Sequence, residues 1–246
     1  MRLDRYLVER GLAESRAKAK DLIKEGRVRV DGRVVKKPAF DVPEAARVEV
    51  EGKEGYVGRG AHKLLGALLT FPVQVAGRVA ADVGASTGGF TQVLLEKGAR
   101  RVYALDVGHG QLHPLLLADP RVVAMEGVNA RTLASLPEPV ELATMDVSFI
   151  SSTLILPRLF DWLVPGGEAL ILVKPQFELE PGTHAGVVRD PALRQRALER
   201  VRSAAQGLGF VVRGQAESPL PGRAGNREIW LWLQKPPTAA PVAAKE

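Results

Sequence analysis

Apolar and polar positions change rhythm along this chain, and the changes divide it. Over residues 78–235, short apolar runs rich in small and β-branched side chains alternate with stretches of helical period. The runs predict strands at 78–83, 101–106, 121–125, 141–146 and 168–173. Helices are expected at 89–97, near 112–117 and at 151–163, and another at 191–208 after a long loop over 175–190. This alternation gives an α/β fold, a mainly parallel sheet covered by helices on both faces. Strands at 210–216 and 228–233 have only the Pro/Gly loop 219–226 between them. They are expected to close the sheet as a hairpin, with one antiparallel edge strand.

The first 50 residues follow another pattern. Leu3, Tyr6, Leu7 and Leu12 predict a short helix ending at Gly11. A second helix is expected at 14–25, with Ser15 as its cap. Arg27 to Val30 alternates, Asp31-Gly32 is a hairpin-turn signal, and Arg33-Val34-Val35 returns. Residues 47–50 supply a further strand. Charge sharpens the division. Residues 1–37 hold 12 basic and 6 acidic side chains, which is the whole of the chain's formal net charge of +6. Arg16, Lys20 and Lys24 share one helix ridge. A basic module on a neutral body predicts a polyanionic partner. The two helices, hairpin and basic ridge resemble the RNA-binding domain named after ribosomal protein S-four. That resemblance places RNA on the helix pair and hairpin, where Arg5, Arg16, Lys20, Lys24, Arg27 and Arg29 are positioned to meet phosphates. The expected boundaries are 1–51 for this module, 52–58 for a glycine-rich linker, 59–235 for the α/β domain and 236–246 for a disordered tail.

The 246 residues contain no cysteine. This excludes disulfides, thiolate metal sites and the covalent route to carbon-5 pyrimidine methylation, and it suits a reducing cytoplasm. No stretch reaches the roughly 18 apolar residues of a spanning helix, so no stable membrane association is expected. His62, His109, His113 and His184 lack metal-ligand spacing, and no metal site is expected.

The candidate chemistry lies at the ends of the strands. In open α/β sheets ligands bind outside the carboxyl ends. Asp82, Asp106, Asp146 and Lys174 end four of the predicted strands. After Asp82 comes Gly84-Ala85-Ser86-Thr87-Gly88-Gly89-Phe90, a strand–turn–helix junction whose glycines allow close approach of a ligand. Its spacing is not the G-x-G-x-x-G dinucleotide fingerprint. It matches the pattern of S-adenosylmethionine (SAM) methyltransferases, with another nucleotide site or a plain glycine turn as alternatives. Asp106, 24 residues beyond Asp82, suits an acid that accepts both ribose hydroxyls of a nucleoside.

Longer motifs bring these residues together. Tyr56-Val57-x-Arg59-Gly60-x-x-Lys63-Leu64, the run Asp82 to Thr91, Val102 to Leu112, Asp146-Val147-Ser148-Phe149-Ile150-Ser151 and Leu172-Val173-Lys174-Pro175-Gln176-Phe177-Glu178 resemble the TlyA (hemolysin A) family. That family joins an S-four domain to an FtsJ-like, Rossmann-like SAM-dependent methyltransferase domain, and it methylates ribose 2′-hydroxyls of cytidines in ribosomal RNA. The resemblance implies SAM as cofactor and ribosomal RNA or ribosomal subunits as partner. It also implies a catalytic tetrad, Lys63, Asp146, Lys174 and Glu228. Cofactor contacts are then expected from Asp82, Gly84, Ala85, Ser86, Thr87, Gly88, Gly89, Phe90, Asp106, Val107, Asn129 and Asp146. Asn129 has the alternative of capping the turn that follows it.

The residue types suit the reaction. A ribose hydroxyl must lose a proton as it attacks a methyl group, and a neutral lysine amine can take that proton. Lys174 is the expected base, oriented by Asp146, with Lys63 stabilising the developing alkoxide and Glu228 holding Lys63 or the ribose. An amino-methylating enzyme would carry an Asn/Asp-Pro-Pro-aromatic motif where this chain has Asp146-Val147-Ser148-Phe149. A membrane-active hemolysin and an RNA-binding protein without catalysis are the competing readings.

Overall fold

The computed structural model describes residues 1–10, 12–50 and 56–238. Gly11, most of the expected linker and the end of the tail lie outside the described residues. The chain divides into two compact units, Met1–Tyr56 and Val57–Glu246.

In the first unit, helices α1 (Leu3–Glu9) and α2 (Arg16–Lys24) precede strands β1 (Val28–Val30), β2 (Arg33–Val34) and β3 (Val48–Val50). The strands form an antiparallel sheet in the order β2-β1-β3. The Ser15 hydroxyl caps α2 by accepting from the Lys18 N–H. Asp31 and Gly32 both adopt positive φ, as a two-residue hairpin turn requires. Leu3, Leu7, Ala19, Ile23, Val28, Val30 and Val42 form the core. Asp4 is fully buried beside them. The Arg2 guanidinium, with that of Arg16, holds its carboxyl down at about 2.

The second unit opens with α3 (Gly60–Thr70) and continues β4 (Val79–Val83), α4 (Gly89–Glu96), β5 (Arg101–Asp106), α5 (Pro114–Leu117), β6 (Val122–Glu126) and β7 (Val140–Met145). A 3₁₀ turn at Ser152–Leu154 leads into α6 (Leu156–Trp162), β8 (Leu163–Val173), α7 (Pro175–Glu178), α8 (Pro191–Leu208), β9 (Val211–Glu217) and β10 (Ile229–Gln234). The seven strands lie in the order β6-β5-β4-β7-β8-β10-β9. The interior strand β4 is buried at every position, as expected where helices cover both faces. Edge strand β9 alternates between exposed and half-buried positions.

The final hairpin is present, and its geometry refines the expectation. Strand β10 pairs antiparallel with both β8 and β9. The reversed strand therefore lies one place in from the edge, and β9 occupies the edge. Two other elements differ from the sequence pattern. The helix expected at 151–163 is divided, because Pro157 suits the first turn of a new helix rather than the interior of a longer one. The expected loop after Lys174 begins with the one-turn helix α7, again started by a proline.

Candidate active site

Strands β4, β5, β7 and β8 run parallel, so their carboxyl ends bring Val83, Asp106, Asp146 and Lys174 to one rim of the sheet. The glycine loop leaves β4 there. Gly84 has φ +82°, and a Cβ at this position would overlap the Asp146 carbonyl oxygen. A Cβ on Gly88, at φ +102°, would overlap the Leu116 side chain. These two glycines let the loop turn tightly against its neighbours. Ser86 is exposed at φ +51°, and its N–H donates to Asp106 Oδ2 at 2.8 Å. Gly108 N–H donates to Asp106 Oδ1, also at 2.8 Å. Asp106 is thus fixed in orientation, while each carboxylate oxygen keeps a lone pair for another donor. Val107, beside it, is exposed.

The four residues of the expected tetrad form two ion pairs. Lys174 Nζ lies 2.5 Å from Asp146 Oδ1 and donates to Ser148 Oγ at 3.0 Å. Lys63, in the first turn of α3, donates to Glu228 Oε1 at 2.8 Å and Oε2 at 3.3 Å. Both members of the second pair are buried. The ladder joins the two pairs. Ile229 opposes Val173, so Glu228 and Lys174 occupy the next step along the same two strands.

Not every expected cofactor contact faces the rim. Asp82 is fully buried and accepts from the Thr91 hydroxyl at 2.8 Å and the Thr144 hydroxyl at 3.4 Å. It braces the start of α4 against β7 and offers a ligand no surface. Burial pushes its carboxyl up to about 7; the two threonine hydroxyls oppose this, and the nearby Asp146 charge adds to it. Phe90 is also buried, stacked against Trp230 with ring centroids 5.6 Å apart. Gly89 serves helix packing, since its added Cβ would lie 2.8 Å from the Ala61 nitrogen. Ala85 and Gly88 are buried in the loop's turn, leaving Gly84, Ser86 and Thr87 as its accessible part. Asn129 Oδ1 accepts from Arg131 N–H at 3.0 Å, which is the turn-capping alternative.

Further residues gain a role only from the structure. Phe149 is a non-glycine residue at φ +62° and is 90% exposed. A bulky side chain in that conformation is uncommon enough to suggest a functional constraint. Its ring lies 4.9 Å from that of Phe177. The two phenylalanines border an open cleft of about 740 Å³ together with Arg131, Ile150, Gln176 and His184. Glu126 holds the segment after β5 by accepting from the N–H groups of Gly110, Gln111 and Leu112. Those backbone bonds lower its carboxyl pKa. No sequence pattern marks the φ of Phe149, although the residue lies inside one of the motifs.

In the first unit, Lys20 and Lys24 are exposed. Arg16 is shared with the buried Asp4 at 3.3 Å, and Arg5 pairs with Glu9 at 3.0 Å. Arg27 pairs with Glu25 at 3.8 Å, and Arg29 donates to the Gly32 carbonyl at 3.4 Å. These arginines therefore also serve the module's own structure. Among the described residues no His, Asp or Glu cluster could hold a metal, and no helix is long and apolar enough to cross a membrane.

A parallel sheet with one reversed strand, a glycine loop after its first strand in chain order and an acid ending the next strand define the methyltransferase class of α/β folds. The FtsJ-like methyltransferase model matches residues 56–235, and the S4 domain model matches residues 1–48. The chain belongs to the TlyA (hemolysin A) family of FtsJ-like methyltransferases. It is 48% identical to the 16S/23S rRNA (cytidine-2′-O)-methyltransferase TlyA of Mycobacterium tuberculosis, over 95% of this chain and 89% of that one. Among solved structures, a Streptococcus thermophilus protein is 39% identical with a TM-score of 0.77, covering 96% of this chain and 88% of its own. A SAM-dependent methyltransferase from Mesorhizobium loti shares the fold alone, at 16% identity and a TM-score of 0.55, over 71% of this chain and 98% of its own.

Proposed function

We propose that this protein transfers a methyl group from SAM to a ribose 2′-hydroxyl of ribosomal RNA, with cytidine in the 16S or 23S molecule as the target. Ribosomal subunits in the cytoplasm are then its partners. The observation that carries the reading is the pair of lysine–carboxylate contacts, Lys174–Asp146 and Lys63–Glu228, with Lys174 and Glu228 each one residue beyond the Val173–Ile229 pair that ends the β8–β10 ladder.

The loop and strand ends suit the cofactor. Asp106 has lone pairs left for the two hydroxyls of a nucleoside, and the exposed Val107 offers an apolar surface for a purine face. Gly84 lets the loop pack directly on the Asp146 carbonyl, and Ser86 and Thr87 are its part open to the methionyl group. When bound, SAM supplies an electrophilic methyl group on a positively charged sulfur.

The chain's own residues do the rest. Asp146 and Ser148 fix the Lys174 amine in direction. In its neutral form that amine accepts the proton of the 2′-hydroxyl as the oxygen attacks. Lys63 supplies positive charge for the developing alkoxide, and Glu228 holds Lys63 in place so that little reorganisation is needed. Phe149 presents its exposed face to the base of the target nucleotide, since unstacked bases are commonly held on aromatic side chains. The first unit, as an S-four-type RNA-binding domain, supplies phosphate contacts through Lys20 and Lys24, aided by Arg5, Arg16, Arg27 and Arg29.

Primer extension at limiting deoxynucleotide concentration tests the reading, because a 2′-O-methyl group arrests the polymerase. RNA from cells containing the protein should show a stop that is absent without it. Identical extension patterns in both would overturn the proposal.

A further inference from the structure

Two segments meet at the substrate side of the site, residues 146–152 and residues 174–178. They are joined at three successive places. Lys174 reaches Asp146 and Ser148. Phe177 packs on Phe149. The third join is Glu178, whose carboxylate accepts from Ser151 Oγ at 2.5 Å and from Ser152 N–H at 2.8 Å. Glu178 is 1% exposed, the least accessible of the residues in these joins. Arg200 anchors it from the other side by donating to its backbone carbonyl at 2.8 Å.

A buried carboxylate is costly, and burial does push this carboxyl's pKa up. It accepts one bond on each oxygen, and both donors come from the segment that bears Phe149. Phe149 itself sits at a backbone conformation that needs support from outside its own dihedrals. Ser151 lies two residues beyond it, and Phe177 directly precedes Glu178. One side chain thereby fixes both rings of the aromatic pair.

We propose that Glu178 is a positioning residue for the methyl-transfer reaction. It clasps the Asp146–Ser152 segment to the turn after Lys174, and so holds Phe149 against Phe177 at the spacing that receives the target nucleotide. Glu178 touches neither cofactor nor RNA in this account. It acts through Phe149, and the inference rests on the RNA-methylating reading above.

The chemistry separates three substitutions. Glu178→Ala leaves the Ser152 N–H buried without an acceptor. Glu178→Gln keeps one acceptor, and its amide can donate to Ser151 Oγ because that hydroxyl rotates. Ser151→Ala removes one of the two bonds to Glu178, together with the cap that Ser151 Oγ gives the Thr153 N–H at 3.2 Å, and leaves the Ser152 bond. Glu178→Ala should lower kcat/KM for RNA by about tenfold or more while the Kd for SAM changes by less than about twofold. Glu178→Gln should restore most of the loss. In a Phe149→Ala background, Glu178→Ala should add less than about a threefold further loss, because the two residues act as one unit. Independent, multiplicative losses would overturn the proposal, as would a loss that tracks the unfolded fraction. If Glu178→Ala does not fold, Ser151→Ala in the same cycle with Phe149→Ala gives the same decision.

Amide hydrogen exchange keeps the two readings apart. Residues 148–152 should lose protection in Glu178→Ala and keep it in Glu178→Gln, whether or not RNA is methylated. Unchanged exchange would sink the clasp alone. A wild-type protein with an intact clasp and no methyl transfer would sink the RNA-methylating reading, and with it the catalytic purpose given to Glu178.

Discussion

Replacing one member of the Lys63–Glu228 pair should cost more stability than replacing both. The side chains are 9% and 1% exposed, and the ammonium meets both carboxylate oxygens. Truncating one partner leaves the other buried without its counter-charge, a loss of about 3–5 kcal/mol. Glu228→Leu and Lys63→Met should each destabilise the second unit by that order. The double substitution puts apolar groups of similar volume in both places and should cost only about 1 kcal/mol. The coupling is then several kcal/mol, far above the few tenths expected of independent sites. Urea unfolding measures it, and the chain provides a selective probe. All three tryptophans, Trp162, Trp230 and Trp232, lie in the second unit. Their fluorescence therefore follows that unit rather than the basic module. The double variant should also stay inactive, because it restores packing and not charge. Additive single costs would refute the reasoning, and so would a stable double variant that retains normal methyl transfer.

Other consequences follow from the same geometry. Asp82 has its carboxyl raised from 3.8 to about 7, so the native state binds its proton more tightly than the unfolded chain. The group costs nothing at pH values below about 3, where both states are protonated; stability then falls as pH rises to about 7, by about 4 kcal/mol. Asp82→Asn should flatten that part of a plot of unfolding free energy against pH, and an unchanged slope would contradict it. Asp106→Ala should weaken SAM binding by about tenfold or more in calorimetry, as expected for loss of a charged group that accepts from ribose hydroxyls. Lys20→Ala with Lys24→Ala should weaken RNA binding and reduce the slope of log affinity against log salt by about 1.4–1.8, the share of two phosphate contacts. An unaltered slope would remove these lysines from the RNA surface.

The local parts of this molecule were readable because local chemistry fixes them. Ser15 caps a helix, Asp31-Gly32 forms a hairpin turn, and the Gly84–Gly88 loop follows a strand, each from residue types within a few positions. The α/β alternation was equally legible from its periodicity. Pairings across the fold were less so. Lys63 and Glu228 are 165 residues apart, and only the tertiary fold, which brings the first turn of α3 to the start of β10, makes them neighbours. Motif resemblance named all four charged residues, and the reaction suggested Asp146 for Lys174 but left Glu228 between Lys63 and the ribose. The same motif grouped Asp82 and Phe90 with the ligand-facing loop. Tertiary packing separates them, turning one toward two threonines and the other toward Trp230. Phe149 and Glu178 were visible as letters in a motif. Their roles depend on a backbone angle and on burial, and neither quantity is written in residue order.

The role proposed for Lys174 is that of proton acceptor in transfer of a methyl group to a ribose oxygen. The direct measurement uses purified protein, SAM carrying an isotopic methyl group, and unmodified ribosomal subunits, followed by digestion to nucleosides and mass spectrometry. The wild-type protein should place the label in 2′-O-methylcytidine, and Lys174→Ala should bind SAM yet reduce that product by about 10²-fold or more, the usual contribution of a positioned proton acceptor. Label on a base, or normal product from Lys174→Ala with SAM saturating, would contradict the account.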